Sequence, residues 1–288
     1  MSHAPALRLA LGAALLAASA TAAQAQTRAW DLGASAWNSG ATLPTGGCSI
    51  TTPGSTASAT PGQGNAVSCA SSGTATASLV MRAFASATST TSAYAIGAIT
   101  RGTVVSHGTS GVGICNVWEY GTCAPPNHAI DDVASGADFL LLSFDRAVTL
   151  NALTFGWTSS TAASVNVYSW NGAADPLSAL TAAGANAATL VGSTGNTFGL
   201  VNTFSVAANA SATNRQTNNT FNGGGVTSQY WAVSANAANG VTDAFKLRSL
   251  SATTPTVQAA VIPEPSTYAL MASGVAMLGL YARRRRQA

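Results

Sequence analysis

Charge is what this chain has least of. Asp, Glu, Lys and Arg make up 7% of its 288 residues, against about 25% in ordinary soluble domains. Lys246 is the single lysine, and the histidines number three. Over residues 26–262, seven Lys and Arg stand against eight Asp and Glu, a net charge of −1, so the +3 of the whole chain comes from its two ends. No basic patch remains to hold a phosphate backbone, and nucleic acid is excluded as a partner. Four cysteines occur, none as Cys-x-x-Cys, which argues against a zinc-thiolate site. No sequence repeat is present, which excludes a solenoid. The threonines at 88, 90 and 91 are dense but follow no sustained period, so a regular ice-binding lattice is not supported.

Catalytic signatures are missing as well. His107-Gly108-Thr109-Ser110-Gly111 places a histidine and a serine three residues apart. There is no Gly-x-Ser-x-Gly elbow and no helix to supply an oxyanion hole. No enzyme is expected, and a hydrolase ranks as the third reading.

What is present is strand signal. The expected fold class is all-β, a single disulfide-stapled β-sandwich of jelly-roll type over residues 26–260. Leu79–Phe84 and Tyr94–Ile99 are short β-type runs between Ser/Thr-rich turns. Phe139–Phe144 is apolar on both faces, as a central strand is. A tight turn at Asp145-Arg146 should separate it from a second strand, Val148–Trp157. Val165–Trp170 alternates and ends on Asn171-Gly172, the strongest two-residue hairpin signal. Phe198–Val206, Tyr230–Val233 and Phe245–Arg248 complete the set, with Lys246 and Arg248 expected to meet solvent. Residues 38–75 and 207–227 read as long loops.

The two ends carry targeting signals. Residues 1–25 read as a signal peptide: a weakly basic start, an apolar stretch from Leu9 to Ala18, and small residues at Ala23 and Ala25. Signal peptidase should cut between Ala25 and Gln26, with the bond after Ala23 as the alternative. An exported chain meets an oxidising compartment, so two disulfides are expected. Proximity favours Cys48–Cys69 and Cys115–Cys123 among the three possible connectivities. At the other end, residues 261–288 hold Pro263-Glu264-Pro265, an apolar stretch from Tyr268 to Ala282, and Arg283-Arg284-Arg285-Arg286. Two prolines fix φ twice and remove two amide donors, so the tripeptide should stay extended and outside any helix. Residues 266–282 are expected as a transmembrane helix, with the arginines holding that end in the cytoplasm. The apolar stretch rises only about 22 Å as a helix, which thinning of the bilayer and snorkelling arginines would offset.

Those three elements in that order resemble the PEP-CTERM sorting signal of Gram-negative bacteria, a tail also labelled an ice-binding protein C-terminal domain. The resemblance implies that exosortase, a membrane transpeptidase, recognises and removes the tail. Further motifs resemble a family of exosortase-dependent surface proteins: Gly111-Val112-Gly113-Ile114, His128-Ala129-Ile130-Asp131, Asp138-Phe139-Leu140-Leu141-Leu142-Ser143-Phe144, Gly156-Trp157, Tyr230-Trp231 and Phe245-Lys246-Leu247. No enzymatic activity is implied by it.

The rare polar groups gather between His107 and Asp145. His128, Asp131, Asp132 and Asp138 are hard-ligand candidates for calcium. The missing Asp-x-Asp-x-Asp-Gly loop weighs against them, so no cofactor is expected and the acids should order loops and strand ends. The function expected is that of an exported, exosortase-processed surface or matrix protein, structural or adhesive in the exopolysaccharide layer. A carbohydrate-binding module is the alternative, with Trp118 and Tyr120 as its exposed aromatics. Polysaccharide is the remaining candidate partner.

Overall fold

The computed structural model describes residues 25–33, 38–39, 47–53, 63–72, 77–88, 95–116, 128–132, 136–159, 161–211, 214–239, 242–255 and 265–286. The chain divides into two units, Gln26–Pro255 on the one hand and Met1–Ala25 with Thr256–Ala288 on the other.

The first unit is built from strands. They are β1 (Gln26–Asp31), β2 (Asn38–Ser39), β3 (Cys48–Pro53), β4 (Gln63–Ala70), β5 (Ser78–Ala87), β6 (Ile99–Arg101), β7 (Thr103–Ser106) and β8 (Val112–Cys115). There follow β9 (Ile130–Asp131), β10 (Gly136–Thr158), β11 (Ala163–Trp170), β12 (Phe198–Val206), β13 (Gln216–Asn218), β14 (Thr227–Ala235) and β15 (Ala244–Thr254). Two one-turn helices, α1 (Leu177–Leu180) and α2 (Ala187–Leu190), lie between β11 and β12. The second unit contributes α3 (Pro265–Arg285).

β10 organises the sheet. Its first half pairs with β5 on one side and β14 on the other. At Ser143–Val148 the register with β14 shifts, and from Thr149 onward β10 pairs with β15 and then with β13. The hydrogen-bonded path runs β1-β15-β8-β7-β4-β5-β10-β14-β11-β12. Because β10 also returns to β15, the sheet curls back on itself. The all-β expectation holds as one curled, largely antiparallel sheet, the only parallel pair among the described strands being β2 with β3. The expected turn at Asp145-Arg146 is instead a bulge within a continuous strand of 23 residues. Asp145, Arg146 and Ala147 are exposed there, and Arg146 Nη2 donates to Asp145 Oδ2 at 3.0 Å. A bulge increases local twist and bends the strand, which lets one strand serve two sets of partners.

Alternation along β10 sorts the core. Leu140, Leu142 and Phe144 enter the main cluster with Trp30, Trp231 and Phe245, while Leu141 faces a second cluster with Phe84, Trp170, Leu180 and Phe198. Leu142 is fully buried between Met81 of β5 and Trp231 of β14. Truncating it to alanine should cost about 2–5 kcal/mol, read from the denaturant midpoint at unchanged slope.

Several sequence expectations are corrected. Ala95–Ala98 does not extend as a strand, because Gly97 turns the chain at φ 81°, and β6 begins only at Ile99. The two-residue hairpin at Asn171-Gly172 is replaced by an excursion over residues 171–197 before β12 returns to β11. Asn171 N still donates to Thr197 O at 2.9 Å, so the hairpin closes around the excursion. β3, β4 and β13 occupy parts of the supposed loops 38–75 and 207–227. Lys246 and Arg248 are each 5% exposed rather than solvated. Their strand, β15, lies between β10 on one edge and β1, β8 and β9 on the other. Arg248 pairs with Asp31 of β1, its Nη2 donating to Oδ2 at 2.9 Å.

Candidate functional site

Cys48 and Cys69 stand opposite each other in β3 and β4 and are joined by a disulfide. Cys115 is also disulfide-bonded. Its expected partner Cys123 lies outside the described residues, as do Trp118 and Tyr120.

The calcium candidates are bound into the fold. Asp131 is buried in β9 and pairs across to Ala244. Asp132 Oδ1 accepts from Asp243 N at 2.6 Å, and Asp132 N donates to Asp243 O at 3.3 Å. Asp243 in turn accepts from Ser164 N at 2.8 Å and from Asn239 Nδ2 at 2.7 Å. Burial raises the Asp132 carboxyl above the usual range, while the bond from Asp243 N opposes the rise. Asp138 does not cap the strand from outside. It is the third residue of β10, fully buried, and its Oδ1 accepts from Asn116 Nδ2 at 2.9 Å. His128 is 3% exposed. Among the described residues no group of three or more His, Cys, Asp or Glu is placed to hold a metal ion.

Separate phrases of the sequence converge on one strand, β15. A Cβ at Gly113 would lie well inside van der Waals contact with the His128 carbonyl oxygen, so only glycine lets β8 pass this segment undisturbed. A Cβ at Gly156 would meet the Ser110 carbonyl in the same way. Ile130 pairs with Phe245. The Lys246 ammonium lies 5.1 Å from the centroid of the Trp157 ring, a cation–π contact that offsets part of its burial. Burial lowers the Lys246 pKa to about 8. His107 is close by, and burial followed by the charges of Lys246 and His128 pushes its imidazole from 6.5 down to about 3, opposed by the pull of the His128 backbone carbonyl.

That shift has a pH consequence. The folded-state pKa of His107 lies below the unfolded one, so stability is lost as the pH falls from about 6.5 toward 3. Partial exposure limits the loss to on the order of 2 kcal/mol. Asp132, with a raised carboxyl, acts in the opposite sense at the acid end. Urea midpoints measured from neutral pH down to acid should therefore decline, and His107→Gln should flatten the decline. An equally steep fall in the variant would remove His107 as its source.

A cavity of about 230 Å³ lies on the other face of the sheet. Its floor carries Phe139, Tyr168, Asn166 and Ser234, and its cover carries Leu180, Leu190 and Val191 from the 171–197 excursion. The cover is held by α2. Asn186 accepts from Ala188 N at 2.8 Å as the helix cap, and its Nδ2 donates to Ile96 O at 3.0 Å. Ala187 N donates to Gly97 O at 2.6 Å, and Ile99 N to Ala185 O at 2.9 Å. Trp170 Nε1 donates to Ala174 O at 2.8 Å at the root of the excursion. Sequence reasoning missed this element. Its only cues were two short-range caps, Asp175 accepting from Leu177 N and Asn186 from Ala188 N, within a stretch that reads as loop.

In the second unit, α3 runs 21 residues with Arg283, Arg284 and Arg285 in its last turn. Pro265 is the first residue of this helix, so the tripeptide is not wholly outside it. Proline is favoured at that position because its missing amide has no helical partner there anyway. Among the described residues no helix is long and apolar enough to cross a membrane. The arginines and the polar first turn shorten the apolar part of α3, which corrects the expectation of a full transmembrane span. Pro263 and Glu264 lie outside the described residues, as does Ala23 of the expected cleavage site. Gln26 begins β1.

Comparison with curated proteins and with solved structures returned no match. A family model does match the C-terminal segment that contains α3: residues 261–286 match a PEP-CTERM protein-sorting motif, which marks an exported protein targeted to exosortase.

Proposed function

We propose that this chain is a cell-surface or extracellular-matrix protein with a structural or adhesive role in the exopolysaccharide layer. The observation that carries the reading is the sorting motif at residues 261–286, attached to a separate β unit, Gln26–Pro255, with its own core. The curled sheet suits a jelly-roll-like sandwich, stapled by Cys48–Cys69. Export through signal peptidase would precede transient anchoring by residues 266–282, with thinning of the bilayer and snorkelling arginines offsetting the short apolar stretch of α3. Exosortase would then release the unit or pass it to the surface.

Three of the six tryptophans belong to the core, which supports the scaffold reading, while Trp118 and Tyr120, the aromatics a sugar site would use, lie outside the described residues. Trp30, Trp170 and Trp231 are at most 6% exposed and belong to the core clusters. Sugar-stacking platforms need exposed rings. The reading is tested by co-sedimenting the purified chain with exopolysaccharide from the exporting cells. Retention in the polysaccharide fraction, with loss of matrix cohesion in a deletion strain, is the expected result. A deletion strain with unchanged matrix, together with a chain that stays in the supernatant, would overturn the role.

A further inference from the structure

The cavity beneath the 171–197 excursion has the features of a ligand site. Its volume of about 230 Å³ exceeds the roughly 150 Å³ of an apolar cavity known to take benzene. Phe139 and Phe198 supply aromatic walls, with Leu180 and Leu190 from the cover and Ile99 from the side. One part of the floor is polar. Tyr168, Ser234 and Asn166 line the same cavity. Asn166 also accepts from Thr203 Oγ1 at 2.7 Å and donates to Asn236 Oδ1 at 3.3 Å, which holds its amide in place. Ser86, Asn236 and the buried Asp138, whose Oδ1 is held by Asn116, also line the cavity. A space walled by aromatics and aliphatics, with polar groups confined to part of its lining, suits a compact ring bearing a hydrogen-bonding group.

We propose that this cavity binds a monocyclic phenol with a short alkyl substituent, its ring against Phe139, Phe198 and Leu190 and its hydroxyl on the Tyr168–Ser234–Asn166 cluster. The cover is held by a few backbone bonds, the Asn186 side chain and its packing on the second cluster through Leu180 and Leu190, so opening it for entry spares the main core. This function is independent of sorting and goes beyond the scaffold role. A matrix protein with such a site would also sequester small aromatic solutes.

The test uses the purified full chain in isothermal titration with 4-ethylphenol and with ethylbenzene, which shares the ring and alkyl group but lacks the hydroxyl. Saturable binding of 4-ethylphenol at or below about 1 mM is expected, and weaker binding of ethylbenzene. Tyr168→Phe should weaken 4-ethylphenol by about five- to tenfold, the value of one lost hydrogen bond, and leave ethylbenzene within about twofold. Leu190→Trp should fill the cavity and abolish both. Should that variant fail to fold, as read from its melting curve, Ala187→Phe fills the same space from the cover. Absence of saturation by 4-ethylphenol overturns the proposal, and so does binding that survives a folded cavity-filling variant. Equal loss of both ligands in Tyr168→Phe, or loss of neither, would overturn the assignment of the polar end.

Discussion

Replacing Glu264 by alanine should leave a membrane-associated precursor that keeps the tail, with release of the shorter product reduced by about tenfold or more. The expectation follows from the chemistry of the tripeptide within the matched motif, residues 261–286. Pro263 and Pro265 fix φ on either side and offer no amide hydrogen, and Glu264 carries the one charged side chain of the tripeptide. A charge-assisted hydrogen bond to a carboxylate contributes about 1.5–3 kcal/mol, enough for a tenfold effect. Intact mass of the chain in membrane and medium fractions, from wild type and variant in the same cells, is the measurement. Release of a normally shortened product by the variant would mean that the carboxylate is not read. Glu264→Gln separates charge from size: it should behave as alanine does if charge is what matters.

The second large effect is expected at Gly113. Alanine there should cost about 3 kcal/mol, at the upper end for overpacking, because the obstructing atom is a backbone carbonyl and not the end of a flexible side chain. β8 meets β15 through a single register pair, Leu247 with Val112, and meets β7 through four. Forcing β8 away from His128 therefore strains the place where the sheet curls back toward β15. Gly113→Ala should lower the denaturant midpoint more than alanine at Gly224, an exposed glycine with open space around it. Equal midpoints would show that the His128 segment moves aside freely.

Much of the strand content was legible because alternation and β-branched or aromatic runs are local signals. Val165–Trp170, Phe198–Val206 and Tyr230–Val233 all lie within strands. What was misread depended on partners distant in sequence. Asp145-Arg146 has the chemistry of a turn, yet β14 ahead of it and β15 behind it hold the strand continuous. Lys246 and Arg248 have the chemistry of a solvated face, yet Trp157 and Asp31 arrive from other strands to accept them. The excursion over residues 171–197 has too little periodicity to be seen, since α1 and α2 are one turn each.

The sorting motif was determined by the sequence alone, because its three elements are contiguous and each acts through its own local chemistry: ring-constrained φ, apolar length and a run of arginines. The Cys48–Cys69 pairing was likewise within reach of proximity along the chain. The cavity and the His107–Lys246 cluster were decided only by tertiary structure. Burial is a property of what surrounds a side chain, and here the surroundings come from elements distant in sequence. Trp157 and Lys246 meet because β10 bends at its bulge, and Leu190 covers Phe139 because the chain leaves β11 before completing its hairpin. Neither bend nor detour is encoded in a short window, since each is stabilised by contacts formed only once the sheet has curled.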